Sequence, residues 1–415
     1  MKKPLHKHIA YHVRKYHRHF TKYLYERDTV LATISVFIFL ILLGLIPINF
    51  YVLNPLKLAL KDFDFNDIAY AKLEKSADTR MDSNIVIVNI GHADREALAY
   101  IIEKTSSYQP KVMALDAYFE EEKDPEKDSI LRQVFKKTNN LVAAARLAVN
   151  KNTDQIVLMK DYFEDVYSTR GYANFPAEEI GTVRAYAPFE KINAKEFPQF
   201  TTAIVKLFDS SAYIKLKKRH HEVETINYTR RVHQYFVVEN EALMMDNIDE
   251  SLLKDKIVLL GYVNPDPNDI EDKKFTPMNH KYAGKSVPDM NGVVVQANVI
   301  SMILDDNYIK KTPKWVAWLV AVLIGWIHMS LFIRYYLEDH IWFHLVAKLA
   351  QIFSAIFFAY LGIFIFDKFA IKLDMKYTLY VIVLAVDVIY FYEAFIVWLH
   401  KKYGFKTVFH LHHHG

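Results

Sequence analysis

The chain contains no cysteine among its 415 residues. This absence excludes disulfide bonds, catalytic thiolates, iron–sulfur clusters and cysteine-ligated zinc. An exported domain built from this sequence would be held together by its hydrophobic core rather than by disulfides. We expect no cofactor and no bound metal ion.

Glycine is also scarce, with 11 residues in the whole chain. Phosphate-binding loops and nucleophile elbows need glycine at fixed spacing, and the sequence contains neither pattern, nor the HExxH pattern of zinc proteases. It also lacks the basic stripe with interleaved aromatic residues that is typical of nucleic-acid-binding proteins. We therefore predict neither enzymatic activity nor a nucleic-acid partner.

Long apolar segments are what the chain has in abundance, and there are four of them: residues 29–51, 315–336, 345–366 and 377–399. As a helix the first would span about 34 Å, and the hydrocarbon core of a bilayer is about 30 Å thick. The sequence predicts four transmembrane helices, one N-terminal and three C-terminal, with the lipid bilayer as an obligatory partner.

The charges beside these segments predict their orientation. Residues 1–28 carry eight lysines and arginines, opposed only by Glu26 and Asp28. Short flanking segments rich in lysine and arginine stay in the cytoplasm, and an even number of spans returns residues 400–415 to the same side. We predict a bacterial inner-membrane protein with residues 52–314 in the periplasm, although three lysines in 367–376 oppose this orientation. A cleaved signal peptide is the alternative for the first segment, but no small-residue cleavage pattern follows it.

The predicted periplasmic segment alternates strand-like and helix-like runs. Residues 84–90, 111–119 and 140–148 are apolar and β-rich, and residues 92–107 and 125–137 between them have helical spacing. This βαβαβ order favours an α/β fold with a mixed or parallel sheet and flanking helices. Farther along we predict a strand at 256–261, and a strand-like start that becomes a helix within 293–304.

Several of these motifs, taken in order, resemble the type-two CHASE domain, an extracellular sensory domain of bacterial signalling proteins. They are FNDIAYAKL at 65–73, IVIVNIGHADREAL at 85–98, KVMALDAYF at 111–119, KIVLLGYV at 256–263 with the later TPM at 276–278, and NGVVVQANVISMIL at 291–304. The family places three closely spaced membrane helices behind this domain, as the sequence does here. The resemblance covers about residues 30–400 and implies a sensory, non-catalytic periplasmic domain.

The same resemblance implies an output domain after the last membrane helix, which this sequence does not contain. Family members usually continue into a kinase or cyclase domain, whereas residues 400–415 are too few to fold one. We expect a receptor-like protein without its own output domain, which passes a signal to a membrane or periplasmic partner protein. A scaffold subunit of a cell-envelope complex is the alternative, and a transporter component is a third. A small-molecule ligand in the periplasmic domain and a homo-oligomer both stay open.

Three polar residues of this domain are candidates for ligand binding. Asp116 ends a predicted strand, where ligand-facing groups collect in open α/β sheets, and Asp94 follows another strand. Asn298 could line a pocket. The structural alternative is that Asp94 caps a helix, Asp116 accepts backbone hydrogen bonds and Asn298 fixes a turn.

Metal binding has weaker support in the sequence. An acidic loop contains Asp266, Asp269, Glu271 and Asp272 without calcium-loop spacing, which favours a solvated loop. His8 and His12 have the four-residue spacing of a helical metal site, but no carboxylate accompanies them.

Ionisable residues inside the apolar segments are the sharper signal. The second and fourth segments contain His328, Arg334, Asp387 and Glu393. A lone ionised group at the bilayer centre costs about 2.5–3.5 kcal/mol on insertion scales, so such residues normally pair. Matching depths predict two intramembrane contacts, His328–Asp387 and Arg334–Glu393, which either hold the bundle together or transmit a signal.

Overall fold

A computed structural model describes residues 23–45, 67–72, 81–150, 152–176, 181–264, 266, 269–279, 287–338 and 340–409. The chain divides into two compact units. One, Leu56–Ile309, is named the sheet unit here, and the other, Met1–Pro55 with Lys310–Gly415, is named the helix unit. His8, His12 and most of the basic segment 1–28 lie outside the described residues.

The described strands are short; β1 to β14 belong to the sheet unit, and β15 and β16 belong to the helix unit. In chain order they are β1 (Ile85–Asn89), β2 (Val112–Leu115), β3 (Leu141–Ala145), β4 (Leu147–Val149), β5 (Ile156–Leu158), β6 (Thr169–Tyr172), β7 (Ala185–Tyr186), β8 (Phe189–Ile192), β9 (Lys195–Pro198), β10 (Glu224–Thr225), β11 (Phe236–Glu239), β12 (Ile257–Gly261), β13 (Lys273–Lys274), β14 (Met290–Asn291), β15 (Lys310–Lys311) and β16 (Ile371–Lys372).

The described helices fall into short ones in the sheet unit and long apolar ones in the helix unit. They are α1 (Arg27–Leu45), α2 (Asp67–Lys72), α3 (Arg95–Ser107), α4 (Pro125–Lys137), α5 (Phe200–Phe208), α6 (Ser210–Lys218), α7 (Asn240–Met244), α8 (Gly292–Leu304), α9 (Lys314–Glu338), α10 (His340–Phe369) and α11 (Lys376–Tyr403).

The centre of the sheet unit is a six-stranded sheet in the order β11-β1-β12-β2-β3-β6. All of its neighbouring strands pair in parallel, which confirms the predicted α/β class with a parallel sheet. The sequence did not reveal that β12 inserts between β1 and β2, because that pairing joins segments far apart in the chain.

Helices cover the sheet on both faces, so the central strands are buried throughout. Val86 and Val88 of β1 pack with residues of α3 and α4 in one core cluster. The alternate residues Ile85 and Ile87 are equally buried, and α8 packs against β1 and β12 while α5 packs against β2, β3 and β6. Parallel strands buried on both faces have continuous apolar sequences, which is why these runs could be recognised as strands in the sequence.

Most predicted elements of the sheet unit match the structure, with three corrections. The predicted strand 111–119 ends at Leu115, and residues 140–148 form β3 and the start of a separate strand, β4. The third correction is α8, which is helical from Gly292 onward without a strand-like start. Its valines are β-branched, yet nearly every residue of α8 is buried, and burial overrides the weak β preference.

The helix unit contains α1, α9, α10 and α11. Each of these four helices is long enough and apolar enough to cross a membrane. Their shared core includes Val36, Ala321, Phe332 and Ile389. The N-terminal end of α1 and the segment after α11 lie together, since Val408 N–H donates to Asp28 Oδ2 at 2.8 Å. The two ends of the four-helix set therefore meet at one end of the bundle, as an even number of spans requires.

At another place in the helix unit, the segment entering α9 pairs with the connection between α10 and α11. Strand β15 runs parallel to β16, and Thr312 N–H donates to the Lys372 carbonyl at 3.1 Å. This pairing ties the segment that leaves the sheet unit to the α10–α11 connection.

Candidate functional site

The carboxyl ends of β1, β11 and β12 are joined by the side chain of Asn89. Its Nδ2 donates to Glu239 Oε2 at 2.8 Å and to the Val263 carbonyl at 2.9 Å. Its Oδ1 accepts from the backbone N–H groups of Gly91 and Val263. Because all its hydrogen-bonding capacity is used within the protein, Asn89 positions this edge of the sheet rather than contacting a ligand.

Three side chains lie together at the same edge, two of them exposed (His92 and Glu271) and one half-buried (Tyr262). The rings of His92 and Tyr262 lie 5.0 Å apart, and Glu271 Oε2 lies 3.6 Å from His92 Nε2 and 3.3 Å from Tyr262 Oη. Desolvation and the Glu271 carboxylate raise the pKa of the Tyr262 hydroxyl. An aromatic pair beside a carboxylate can hold a small polar or cationic ligand by stacking and charge.

Asp94 is the N-cap of α3, as the structural alternative predicted. Its Oδ1 accepts from the Ala97 N–H at 2.9 Å, and its other oxygen pairs with Lys127 of α4. The Ala97 hydrogen bond and Lys127 lower the pKa of Asp94. Its carboxylate is therefore already engaged in joining the starts of two helices.

Asp116 follows the last residue of β2, at the carboxyl edge of the sheet. Its backbone N–H donates to the Leu260 carbonyl of β12 at 2.9 Å, and the residue is partly exposed. Asp116 thus lies on the edge where α/β sheets bind ligands.

Asn298 lies inside α8 and is completely buried. Its Oδ1 accepts from the N–H groups of Thr229 and Arg230, and its Nδ2 donates to the carbonyls of Arg230 and Val294. The side chain fastens the 229–230 segment to α8, so its role in the structure is to hold a loop against a helix rather than to fix a strand-to-helix turn.

Within the described ranges, no group of three or more histidine, aspartate or glutamate side chains could hold a metal ion. In the acidic loop, the Asn264 amide donates to Asp269. The Asp272 carboxylate lies beside Gly292, the first residue of α8, at 3.3 Å from the position of an added Cβ. Aspartate at a helix N-terminus is favourable because of the helix dipole.

In the helix unit, α9 and α11 pack closely, as the predicted contacts require, but two of the predicted partners differ. His328 Nδ1 lies 2.9 Å from the Ile324 carbonyl of its own helix. Asp387 Oδ1 lies 3.4 Å from Lys348 Nζ of α10. The similar depths of His328 and Asp387 did not decide their pairing, since the rotation of each helix about its axis also matters.

Glu393 faces the helix that was predicted to carry its partner. It accepts a hydrogen bond from the Tyr336 hydroxyl of α9, two residues beyond Arg334. Glu393 thus contacts α9 through Tyr336, a residue that the sequence interpretation did not include.

A row of three polar contacts joins α10 to α11, and we name it the seam. Gln351 Nε2 donates to the carbonyls of Ile382 and Val383, Lys348 pairs with Asp387, and the His344 ring stacks on Tyr390 with 5.8 Å between centroids. The α10 members recur at spacings of four and three residues, so they share one helix face. Sequence reasoning missed Lys348 and Gln351, although both are polar residues inside an apolar run.

A second cluster closes the end of the bundle where the two ends of the four-helix set meet, and we name it the clasp. Buried Asp28 accepts from the Tyr392 hydroxyl at 2.5 Å and from the Val408 N–H. Arg27 donates to the Lys406 carbonyl and lies over the Phe405 ring at 4.1 Å. From the sequence alone, Asp28 was interpreted only as an acidic residue that partly offsets the basic charge of residues 1–28.

In a comparison with known families, the model of the CHASE2 domain, the type-two CHASE domain of the sequence resemblance, matches residues 35–333. The match runs from within α1, through the sheet unit, to within α9. No curated protein and no solved structure matches the chain.

Proposed function

Because the chain belongs to the CHASE2 domain family, we propose that it is a membrane-anchored sensory protein that passes a signal to a partner protein. In this proposal the sheet unit lies in the periplasm, α1, α9, α10 and α11 cross the bacterial inner membrane, and the clasp lies in the cytoplasm. CHASE2 is a family of sensory domains, and the four apolar helices support membrane association. The single observation that carries the proposal is the family match over the sheet unit and parts of α1 and α9.

The basic residues at one end of the bundle support this orientation, although Lys314, Lys368 and Lys376 at the other ends of α9, α10 and α11 oppose it. Lys401 and Lys402 end α11 next to Lys406, and Arg27 begins α1 at the same end of the bundle. Lysine and arginine concentrate on the cytoplasmic side of membrane proteins. The clasp lies at this end, whereas the chain enters the sheet unit after the other end of α1 and leaves it before the other end of α9.

We place signal reception at the carboxyl edge of the sheet. His92 and Glu271 are exposed there beside the half-buried Tyr262, and Asp116 follows β2 on the same edge. The sequence candidates Asp94 and Asn298 support the edge indirectly, because their polar groups hold α3, α4 and α8 in place. A small polar ligand or another exported protein would be recognised by the exposed group.

The route to a partner begins where the chain leaves the sheet unit. Ile309 continues directly into β15, which is paired with β16 between α10 and α11. A displacement of β15 would therefore act on α9 through the chain and on α10 and α11 through the strand pair. The clasp, at the start of α1 and the end of α11, is the region that a cytoplasmic or membrane partner would bind.

The proposal is tested by identifying the proteins retained with the full chain in mild detergent. We expect a stoichiometric partner whose recovery falls when the clasp is opened by Asp28→Ala and is unchanged by Lys195→Ala on the exposed β9. Recovery of only exported envelope proteins, insensitive to Asp28→Ala, would contradict signal transfer and support the scaffold alternative.

A further inference from the structure

The seam carries an ion pair that faces outward from the bundle. Lys348 and Asp387 have 55% and 53% of their side chains exposed, although both lie within helices apolar enough to cross a membrane. Eleven residues separate Asp387 from Lys376 at the start of α11, and eleven separate it from Trp398, about 16 Å each way along the helix axis. Asp387 is therefore near the middle of the apolar span of α11, and Lys348 meets it from five residues inside the start of the apolar span of α10.

Ionised side chains at that depth normally face protein or a water-filled cavity rather than lipid. Within one chain, Lys348 and Asp387 neutralise each other only on the side where they touch. Their exposed sides would be stabilised by additional groups of opposite charge from outside the chain.

We propose that a second copy of this chain covers the seam, related by a twofold axis parallel to the helices. Such a rotation leaves the depth of every residue unchanged. Because Lys348 and Asp387 already lie at one depth, Lys348 of one copy can meet Asp387 of the other, and the reverse contact forms at the same time. The exposed pair is self-complementary, which an isologous interface requires.

The surface around the pair is long enough for helix-to-helix packing. The exposed face of α11 recurs every three or four residues and consists of Tyr380, Val383, Asp387, Phe391, Ala394 and Trp398. These residues follow about 27 Å of the helix axis. Val383 and Ala394 are small enough on either side of the charge to let a second helix approach.

The inference concerns the helix unit alone and does not depend on what the sheet unit recognises. The first test uses the absence of native cysteine. Val383→Cys and Ala394→Cys, each in the full chain in native membranes, should be joined between copies by a short bifunctional maleimide. The matched control is Phe357→Cys, which is 60% exposed on α10 and, nine residues beyond Lys348, points about 180° away from it.

We expect the two α11 positions to crosslink about three- to fifteen-fold more than the control, the range that interhelical polar contacts in membranes support. Equal crosslinking at all three positions overturns the proposal, since it would report random collision or a different interface.

A charge exchange separates contacts within one copy from contacts between copies. Lys348→Asp alone and Asp387→Lys alone place like charges together in both settings, and crosslinking at Val383→Cys should fall. When these two variants are co-expressed with different tags, every contact within a copy remains repulsive, but every contact between copies joins an acid to a base. Crosslinking between the two tags should then recover.

The chain with both exchanges, Lys348→Asp with Asp387→Lys, keeps attraction in both settings and shows that the exchanged charges are tolerated. It should crosslink as the parent does. Recovery in this chain without recovery in the mixture would restrict the pair to contacts within one copy and overturn the proposed interface.

Discussion

Two ion pairs show how differently the units of this chain treat charge. In the sheet unit, Arg95 and Asp128 pair with only 8% and 3% of their side chains exposed. In the helix unit, Lys348 and Asp387 pair with more than half of each side chain exposed. The Arg95–Asp128 pair is enclosed within the sheet unit, whereas the Lys348–Asp387 pair lies on the surface of the helix unit.

The difference follows from what each unit has available. Arg95 also donates to the Glu121 carbonyl and lies near the ring of Phe119, and Asp128 accepts from the Lys123 N–H, so several elements satisfy the pair. A bundle of single helices has few backbone groups left to offer, since the helices use their own. Interhelical polar contacts therefore depend on side chains from neighbouring helices.

Breaking the enclosed pair should give the largest effect. Arg95→Ala leaves the Asp128 carboxylate buried without its partner, and we expect the free energy of unfolding of the sheet unit to fall by about 3–5 kcal/mol. Although burial raises the pKa of Asp128, its hydrogen bonds to Arg95 and Lys123 outweigh this and lower it, so the stabilisation is lost as pH falls through the folded-state value. Pulse proteolysis of the full chain in urea would measure the loss.

The control for this change is Lys127→Ala, which removes an exposed partner of Asp94 and should lower the free energy of unfolding much less than Arg95→Ala does. Equal losses for the two variants would show that enclosure does not distinguish the pairs.

Opening the clasp should give the next largest effect, confined to the helix unit. Asp28→Ala removes the acceptor of both Tyr392 and the Val408 N–H, and hydrogen bonds to a charged group contribute about 1.5–3 kcal/mol. Hydrogen exchange followed by mass spectrometry should show faster exchange of the Val408 amide. Tyr392→Phe removes one of the two bonds and should have a smaller effect; unchanged exchange in Asp28→Ala would refute the clasp.

Helix packing in the bundle is tested at Gly325. A Cβ added there would lie 2.7 Å from Val381 Cγ1, so Gly325→Ala should push α9 from α11 and destabilise the helix unit by about 1–3 kcal/mol. All five tryptophans lie in the helix unit, so their fluorescence reports its thermal unfolding in detergent. Gly44→Ala is the matched control, because no atom of the described residues lies within 4 Å of its added Cβ. A loss no larger than that of the control would mean that α9 and α11 do not need this close approach.

The smallest expected effect is a pH dependence in the sheet unit. Burial raises the pKa of Asp161 above its ordinary value of 3.8, although its carboxylate accepts from the N–H groups of Phe119 and Phe163. The folded state therefore holds this proton more tightly than the unfolded state, and stability falls as pH rises from 3.8 through the raised value.

Asp161→Asn removes that titration, so the stability of the variant relative to the parent should increase over the same pH range. Asp165, whose pKa is lowered by its hydrogen bonds to Arg132, serves as a control of opposite sign. A constant difference between Asp161→Asn and the parent at all pH values would contradict the assignment.

The two units also differ in how far the sequence could predict them. In the sheet unit, apolar runs and the Asp94 cap identified β1, α3 and α4 nearly to the residue, because local pattern and capping fix such elements. The position of β12 between β1 and β2 depends on long-range pairing, and no local signal carries it.

In the helix unit, composition predicted four apolar helices but not which side chains would meet. Asp387 was expected opposite His328 and lies beside Lys348 instead. Helices α10 and α11 are also shifted along their axes relative to each other. Met375, just before α11, lies against Gly362, which is seven residues before the end of α10. Partner choice depends on helix rotation and this shift, neither of which hydrophobic length determines.

The central claim is that the sheet unit is exported while the clasp end of the bundle stays in the cytoplasm. Because the chain has no cysteine, single cysteines report their side of the membrane through a membrane-impermeant maleimide added to intact spheroplasts. Met245→Cys, 77% exposed in the sheet unit, should be labelled at once, whereas Tyr403→Cys, 65% exposed at the end of α11, should be labelled only after permeabilisation. Labelling of Tyr403→Cys with protection of Met245→Cys would contradict the account.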